Sequence, residues 1–280
     1  GFVLFPQLLK ILDNKKNLVI FYKRRWLRTL PLYFICLVII SIMFNKIFTQ
    51  DFFKYFFFVQ DFFPNFLDVS YYPVVWSLSI EEFFYLLFPI FLLFSNKNNF
   101  LKNCTYLFLV LIFIKLFFVS HFDSYFLRTG TLLRFDAILL GFLMRYVYLK
   151  FDFKQSAIIS LFLMLLYIFL KDTILLNKDL FFVKLSFIFL LQLFSAIILI
   201  FFCKLEYLSN FWIFKKLSGI VSKQTYSVYL THMIFIYFLK DQNINSLTKF
   251  MIYLSLLIAI STLSYYFIEK PILKTRPKYS

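Results

Sequence analysis

Trp76-Ser77-Leu78-Ser79-Ile80-Glu81-Glu82-Phe83-Phe84-Tyr85-Leu86-Leu87-Phe88-Pro89 sets two adjacent carboxylates inside an otherwise apolar run. A charge at the centre of a helix in a bilayer costs about 2.5–3.5 kcal/mol on insertion scales. Two in succession are therefore expected to face protein, water or a ligand, not lipid. At helical spacing Glu81 shares a face with Ser77 and Tyr85. Glu82 lies about 100° further round, with Leu78, Leu86 and Pro89. Pro89 has no backbone N–H to give and is expected to kink or end the helix there.

Outward from this run the chain reads as membrane. Its 280 residues are 62% hydrophobic and 24% aromatic, with a mean hydropathy of +0.81, whereas a soluble domain is about half apolar. Several long apolar runs in one chain imply a polytopic, all-α integral membrane protein with lipid as a partner. The net charge of +16 is not the footprint of a nucleic-acid binder. The basic residues sit in short loops between apolar runs, the positive-inside pattern. Cys36, Cys104 and Cys203 lie in or at the end of apolar runs, without the C-x-x-C spacing of metal sites, and read as small core residues. No spacing suggests a metal or a bound cofactor. With four glycines in the chain, a glycine-rich nucleotide-binding loop is not expected.

The apolar segment 1–12 is shorter than the ~20 residues a spanning helix needs and reads as the tail end of a partial helix. Spanning helices are then expected at 31–48, 74–94, 104–120, 130–149, 156–170, 181–202, 225–239 and 248–268. This is a helical bundle of eight complete helices and one partial N-terminal one, forming a single membrane-embedded domain over 1–280. Pro31 would sit at the start of its helix, where a missing N–H costs least. The charges test the layout. The opposite side holds Lys46, Lys54, Arg128, Lys171, Lys178, Lys184, Lys240 and Lys249; Lys115 and Arg134 fall inside helices; the other 20 of the 30 Lys and Arg lie in alternate loops from Lys10 onward. That side, with the C-terminus, is expected to be cytoplasmic. Glu81 and Glu82 then lie roughly 10–12 Å into the outer half of their helix. Arg134 and Asp136 sit in the outer third of theirs, and one of them is expected to pair with a carboxylate of 74–94. Lys115 is expected to snorkel or to find a carboxylate. His121 reads as a solvated loop residue. Tyr71 and Tyr72 read as interfacial anchors.

Five segments, in order, resemble the acyltransferase 3 family of integral membrane acyltransferases. Residues 75–85 resemble its "WSL-x-x-EE-x-FY" signature. Phe21-Tyr22-Lys23-Arg24-Arg25-Trp26-Leu27-Arg28-Thr29-Leu30-Pro31 resembles its segment with an R-x-x-R pair, here Arg25 and Arg28. Leu133-Arg134-Phe135-Asp136-Ala137-Ile138-Leu139-Leu140-Gly141 resembles its "R-x-D-x-x-x-x-G" helix. Tyr226-Ser227-Val228-Tyr229-Leu230-Thr231-His232 resembles its "YS-x-YL-x-H" helix. Phe267-Ile268-Glu269-Lys270-Pro271 resembles its "IEKP" segment. Family members also carry a first helix with an Arg and a catalytic His. That helix is absent from this sequence, which therefore reads as N-terminally truncated.

The resemblance implies transfer of an acyl group, often acetyl, from cytoplasmic acyl-CoA as co-substrate to a hydroxyl of a cell-surface glycan acceptor such as O-antigen, capsule or exopolysaccharide. The location would be the bacterial inner membrane. Arg25 and Arg28 are the candidates for the CoA phosphates, which arginine binds bidentately. Glu81 and Glu82 are the candidates for proton transfer. Trp76, Tyr85, Arg134 and Asp136 are expected to shape the acceptor site, and His232 to make a structural helix–helix hydrogen bond. Two other readings stay open: a lipid-linked glycan flippase, and a catalytically inactive relative.

Overall fold

The computed structural model describes residues 1–148, 189–204 and 212–279, with isolated positions (158, 161, 162, 165, 166 and 184) between the first two stretches. The helices expected at 156–170 and over the first part of 181–202 lie outside the described residues. Among the described residues every regular element is helical. In chain order they are α1 Phe5–Asp13, α2 Asn17–Met43, α3 Gln50–Phe56, a 3₁₀ turn Pro73–Val75 and α4 Trp76–Leu93. These are followed by α5 Phe100–Phe118, α6 Ser124–Thr129, α7 Phe135–Tyr148, α8 Leu191–Lys204, α9 Trp212–Lys240 and α10 Ser246–Ser264. A π turn Tyr265–Glu269 leads into the short α11 Lys270–Lys274. Among the described residues, four stretches are long and apolar enough to cross a membrane: Asn17–Met43, Pro73–Leu93, Lys97–Phe118 and Ser246–Lys274. The spanning windows of Lys97–Phe118 and Ser246–Lys274 are 17% buried. The apolar side chains left exposed include Leu109, Phe113 and Phe117 of α5, which recur every four residues along one stripe. A multi-pass membrane protein offers such a stripe to lipid tails.

Two helices are longer than the charge pattern suggests. The basic stretch before Pro31 is already helix: α2 starts at Asn17 and carries Pro31 in its interior. The missing Pro N–H deprives one carbonyl a turn earlier of its partner, yet the packing around it keeps the helix running. Likewise α9 begins at Trp212, inside what reads as a basic loop. α4 passes through Pro89 and ends at Leu93. Three helices take their side-chain caps from the residue types that cap best. Thr49 accepts from the Phe52 N–H ahead of α3, Asp123 from Phe126 ahead of α6, and Asn245 from Leu247 ahead of α10.

The chain forms two compact units. The first comprises residues 1–15, 61–66 and 80–207, the second 16–60, 67–79 and 208–280. Phenylalanines fill the first. Phe84 stacks on Phe88 at 4.6 Å between ring centroids, and Phe142 meets them at 5.7 and 5.3 Å. Phe5 joins Phe100 at 5.6 Å and Phe142 at 6.1 Å. At Gly141 a side chain would collide with the backbone of residues 1 and 2: a Cβ there would lie 2.7 Å from the Phe2 nitrogen. The glycine therefore lets α7 approach the start of the chain closely.

Tyrosines hold the second unit. Tyr33 donates its hydroxyl to the Tyr55 carbonyl at 2.7 Å, and the Tyr55 hydroxyl accepts the Tyr72 N–H at 3.3 Å. Tyr72 donates to the Leu230 carbonyl at 2.8 Å, and Tyr71 pairs with Ser41 at 3.0 Å. Both tyrosines are buried. They pin the entry to α4 from inside and are not interfacial anchors. Asp51 secures the preceding loop by accepting the Asp68 and Val69 N–H groups at 3.1 and 3.0 Å, with Lys54 at 3.2 Å. Gln60 donates to Ser79 and, at 3.4 Å, to the Val75 carbonyl. Cys36 and Cys104 are buried, as core residues should be, but Cys203 is exposed at the end of α8.

Candidate active site

The carboxylates that anchor the sequence reading lie on the part of α4 belonging to the first unit. One helical turn separates Glu81 from Tyr85, and the tyrosine hydroxyl donates to Glu81 Oε2 at 2.6 Å. That short bond fixes the carboxylate's orientation. Glu82, adjacent in sequence, is buried, whereas Glu81 is exposed. The pair thus presents one oriented carboxylate outward and holds its neighbour inside. Leu86 and Leu87, one turn further on, are exposed apolar residues.

Arg134 and Asp136 also fall in the first unit, but neither takes a carboxylate of α4 as its ion pair. Asp136 Oδ2 pairs with Lys115 Nζ of α5 at 2.5 Å, with both side chains fully buried. Arg134 Nη1 reaches Gln192 Oε1 of α8 at 3.5 Å, and among the described residues its Nε is buried with no hydrogen-bond partner. Standing two residues apart, the two side chains point to different neighbours, as helical geometry requires. Lys115 has thus found its carboxylate instead of snorkelling. His121 is exposed.

The second unit brings three of the five motif segments together. Tyr226 donates to the Thr29 carbonyl of α2 at 2.6 Å, and Ser227 donates to Glu269 Oε1. Tyr229 donates its hydroxyl to the Val74 carbonyl, which leaves Ser77 Oγ as the donor in its 2.8 Å contact with Tyr229. The tyrosines and serine of α9 therefore fasten α2, the turn into α4 and the π turn Tyr265–Glu269. Trp76, at the start of α4, is half-buried. His232 Nδ1 lies 2.7 Å from the Tyr229 carbonyl on its own helix. This intrahelical bond takes the place of the helix–helix bond expected for it, because the carbonyl three residues back lies within reach of the ring.

Arg25 and Arg28 lie three residues apart on α2, so they share a face. Arg25 is half-buried, with its guanidinium carbon 5.7 Å from the Phe21 ring centroid, and Arg28 is exposed. Sequence reasoning singled out this pair but missed what gathers beside it. Arg24, Arg276, Tyr279 and Glu269 belong to the same neighbourhood. Their one legible signal was the return of basic residues just after Pro271.

A family model described as an acyltransferase domain matches residues 1–269. The O-acetyltransferase OatA of Staphylococcus aureus strain NCTC 8325 / PS 47 is 30% identical over 305 residues, which cover 93% of this chain and 48% of that protein. Its counterparts in strains COL and MRSA252 match to the same extent. The chain spans about half the length of the curated relatives it matches. No solved structure matches it.

Proposed function

As this chain belongs to the acyltransferase 3 family, we propose that it is a membrane O-acyltransferase that moves an acyl group, acetyl above all, from acyl-CoA to a hydroxyl of a cell-surface polysaccharide. The family match along 1–269 carries the reading. The 30%-identical relatives are O-acetyltransferases by name, which supports O-acetylation in particular. The excess of basic residues on one side of the membrane supports a cytoplasmic donor side.

In the reaction the acceptor hydroxyl oxygen attacks the thioester carbonyl. A C–O bond forms, the C–S bond breaks, and the hydroxyl proton ends on the departing CoA thiol by way of a base. Glu81 and Glu82 are the proposed acceptor-side carboxylates. Tyr85 holds Glu81 in one orientation, which lets it accept a hydrogen bond from a sugar hydroxyl without reorganising. Glu82, its buried neighbour, lies beside it on the same helix. Arg25 and Arg28 are proposed for the CoA phosphates, and Arg134 and Trp76 for the acceptor.

The test is made in the intact protein, expressed in cells from which the native gene has been removed, with polysaccharide O-acyl groups quantified by NMR. The reading expects Arg25→Ala and Glu82→Gln each to lower acylation by about 100-fold, the usual scale for losing a catalytic or phosphate-binding group. Normal acylation by both variants would sink the site assignment.

A further inference from the structure

Beyond α11, residues 275–279 fold back along the basic turn of α2. Arg24 Nη1 donates to the Pro277 carbonyl at 2.7 Å, and the Arg24 guanidinium carbon lies 4.9 Å from the centroid of the Tyr279 ring. Arg24 and Arg28 are one helical turn apart, with Arg25 between them. This return of the chain brings Arg276 up to the same turn. Four guanidinium groups thus share one neighbourhood, and the charges of Arg24, Arg25 and Arg28 all act on Arg276. The carboxylate that acts on Arg28 and Arg276 is Glu269, and it already accepts a hydrogen bond from Ser227.

Arg276 has two donors that no described residue takes up. Among the described residues its Nε and Nη2 are buried with no hydrogen-bond partner. A buried donor left unpaired is costly, the more so on a charged group. Burial, followed by the neighbouring arginines, pulls Arg276 down to about 10. Cations crowd and go unsatisfied in this way where an anion of more than one charge completes the site. Phosphate fits that description, with several acceptor oxygens that match the planar fork of arginine.

We propose that Arg276 closes a phosphate-binding cage with Arg24, Arg25 and Arg28, and is a further residue that binds the phosphate groups of the acyl donor. The proposal rests on the acyl-CoA reading above for the identity of the donor. The cage itself rests on the geometry. A phosphate can reach it from two sources: free CoA, or the headgroup of an anionic lipid at the membrane surface.

The experiment uses the intact purified protein. In neutral detergent, calorimetry measures CoA binding to wild type, Arg276→Gln, Arg276→Lys and Lys278→Gln. Lys278 is exposed and controls for the loss of one positive charge. In a parallel arm, native mass spectrometry measures retention of phosphatidylglycerol against phosphatidylcholine by wild type and Arg276→Gln. The expected result is CoA binding weakened about tenfold or more by Arg276→Gln, partly restored in Arg276→Lys, and changed less than about twofold by Lys278→Gln. If wild type binds no CoA but retains phosphatidylglycerol in an Arg276-dependent way, the cage stands as a lipid site and the donor reading falls. Equal CoA binding by wild type and Arg276→Gln overturns the proposal. Loss of both CoA binding and selective lipid retention in wild type also overturns it.

Discussion

Lys115 and Asp136 stand against each other with no exposed surface on either side chain. Removing one member leaves an uncompensated charge in the interior. Asp136→Ala is expected to cost about 3–5 kcal/mol of stability, and the double variant Lys115→Met, Asp136→Leu to recover most of it. Denaturant unfolding in detergent checks this, and a double variant as weak as the single would contradict it. Asp61 makes the opposite kind of prediction. It lies in the loop between α3 and the 3₁₀ turn, where burial raises its carboxyl from 3.8 to about 6. Between those values the unfolded chain carries the charge and the folded chain keeps the proton. Its contribution is therefore full below about pH 4 and lost as pH rises through about 6. Asp61→Asn should flatten that fall and raise the melting temperature above wild type near about pH 7.5. An unchanged profile would mean that Asp61 is solvated. Of the two residues, Lys115 was legible, because a lysine in the middle of an apolar run has few fates. Asp61 was not, because burial of a loop carboxylate depends on contacts made far along the chain, such as the Thr131 N–H on its own carbonyl.

At the scale of elements, the apolar runs announced α4, α5 and α10 with their ends displaced by a few residues. The i, i+4 spacing of Glu81 and Tyr85 put them on one face, where the structure shows them hydrogen-bonded. The helical reach of α2 and α9 was hidden. Charged residues and a proline read as loop, yet tertiary bonds such as Tyr226 to the Thr29 carbonyl hold these turns in helix. The partners of Asp136 and His232 were hidden for the same reason, since sequence spacing shows which face a residue shares and not which neighbour packs there. The glycine of α7 carries a direct prediction. A Cβ at position 141 would meet Phe2 nitrogen at 2.7 Å and Gly1 Cα at 2.8 Å, all of it backbone that cannot swing aside. Gly141→Leu should destabilise the contact of α7 with the chain start by about 1–3 kcal/mol. The variant would also expose the amides of residues 1–13 to faster hydrogen exchange, and unchanged exchange there would refute the contact.

For the whole molecule, the family match, the helices of the described residues and the apolar spans agree on a membrane-embedded member of the acyltransferase 3 family. The distribution of basic residues predicts its orientation. In intact cells a cysteine placed at exposed His121 should react with an impermeant maleimide, whereas one at exposed Lys278 should react only after permeabilisation. Reversed labelling would invert the topology and with it the donor side. The central claim is the chemistry, and one measurement addresses it directly: purified intact protein in liposomes, given acetyl-CoA labelled in the acetyl carbon and a soluble polysaccharide acceptor. The account predicts label in the polysaccharide as a base-labile ester, released in step with free CoA and lost in Glu82→Gln. Label that never leaves acetyl-CoA, or that enters the polysaccharide equally well with Glu82→Gln and Arg25→Ala, would contradict it.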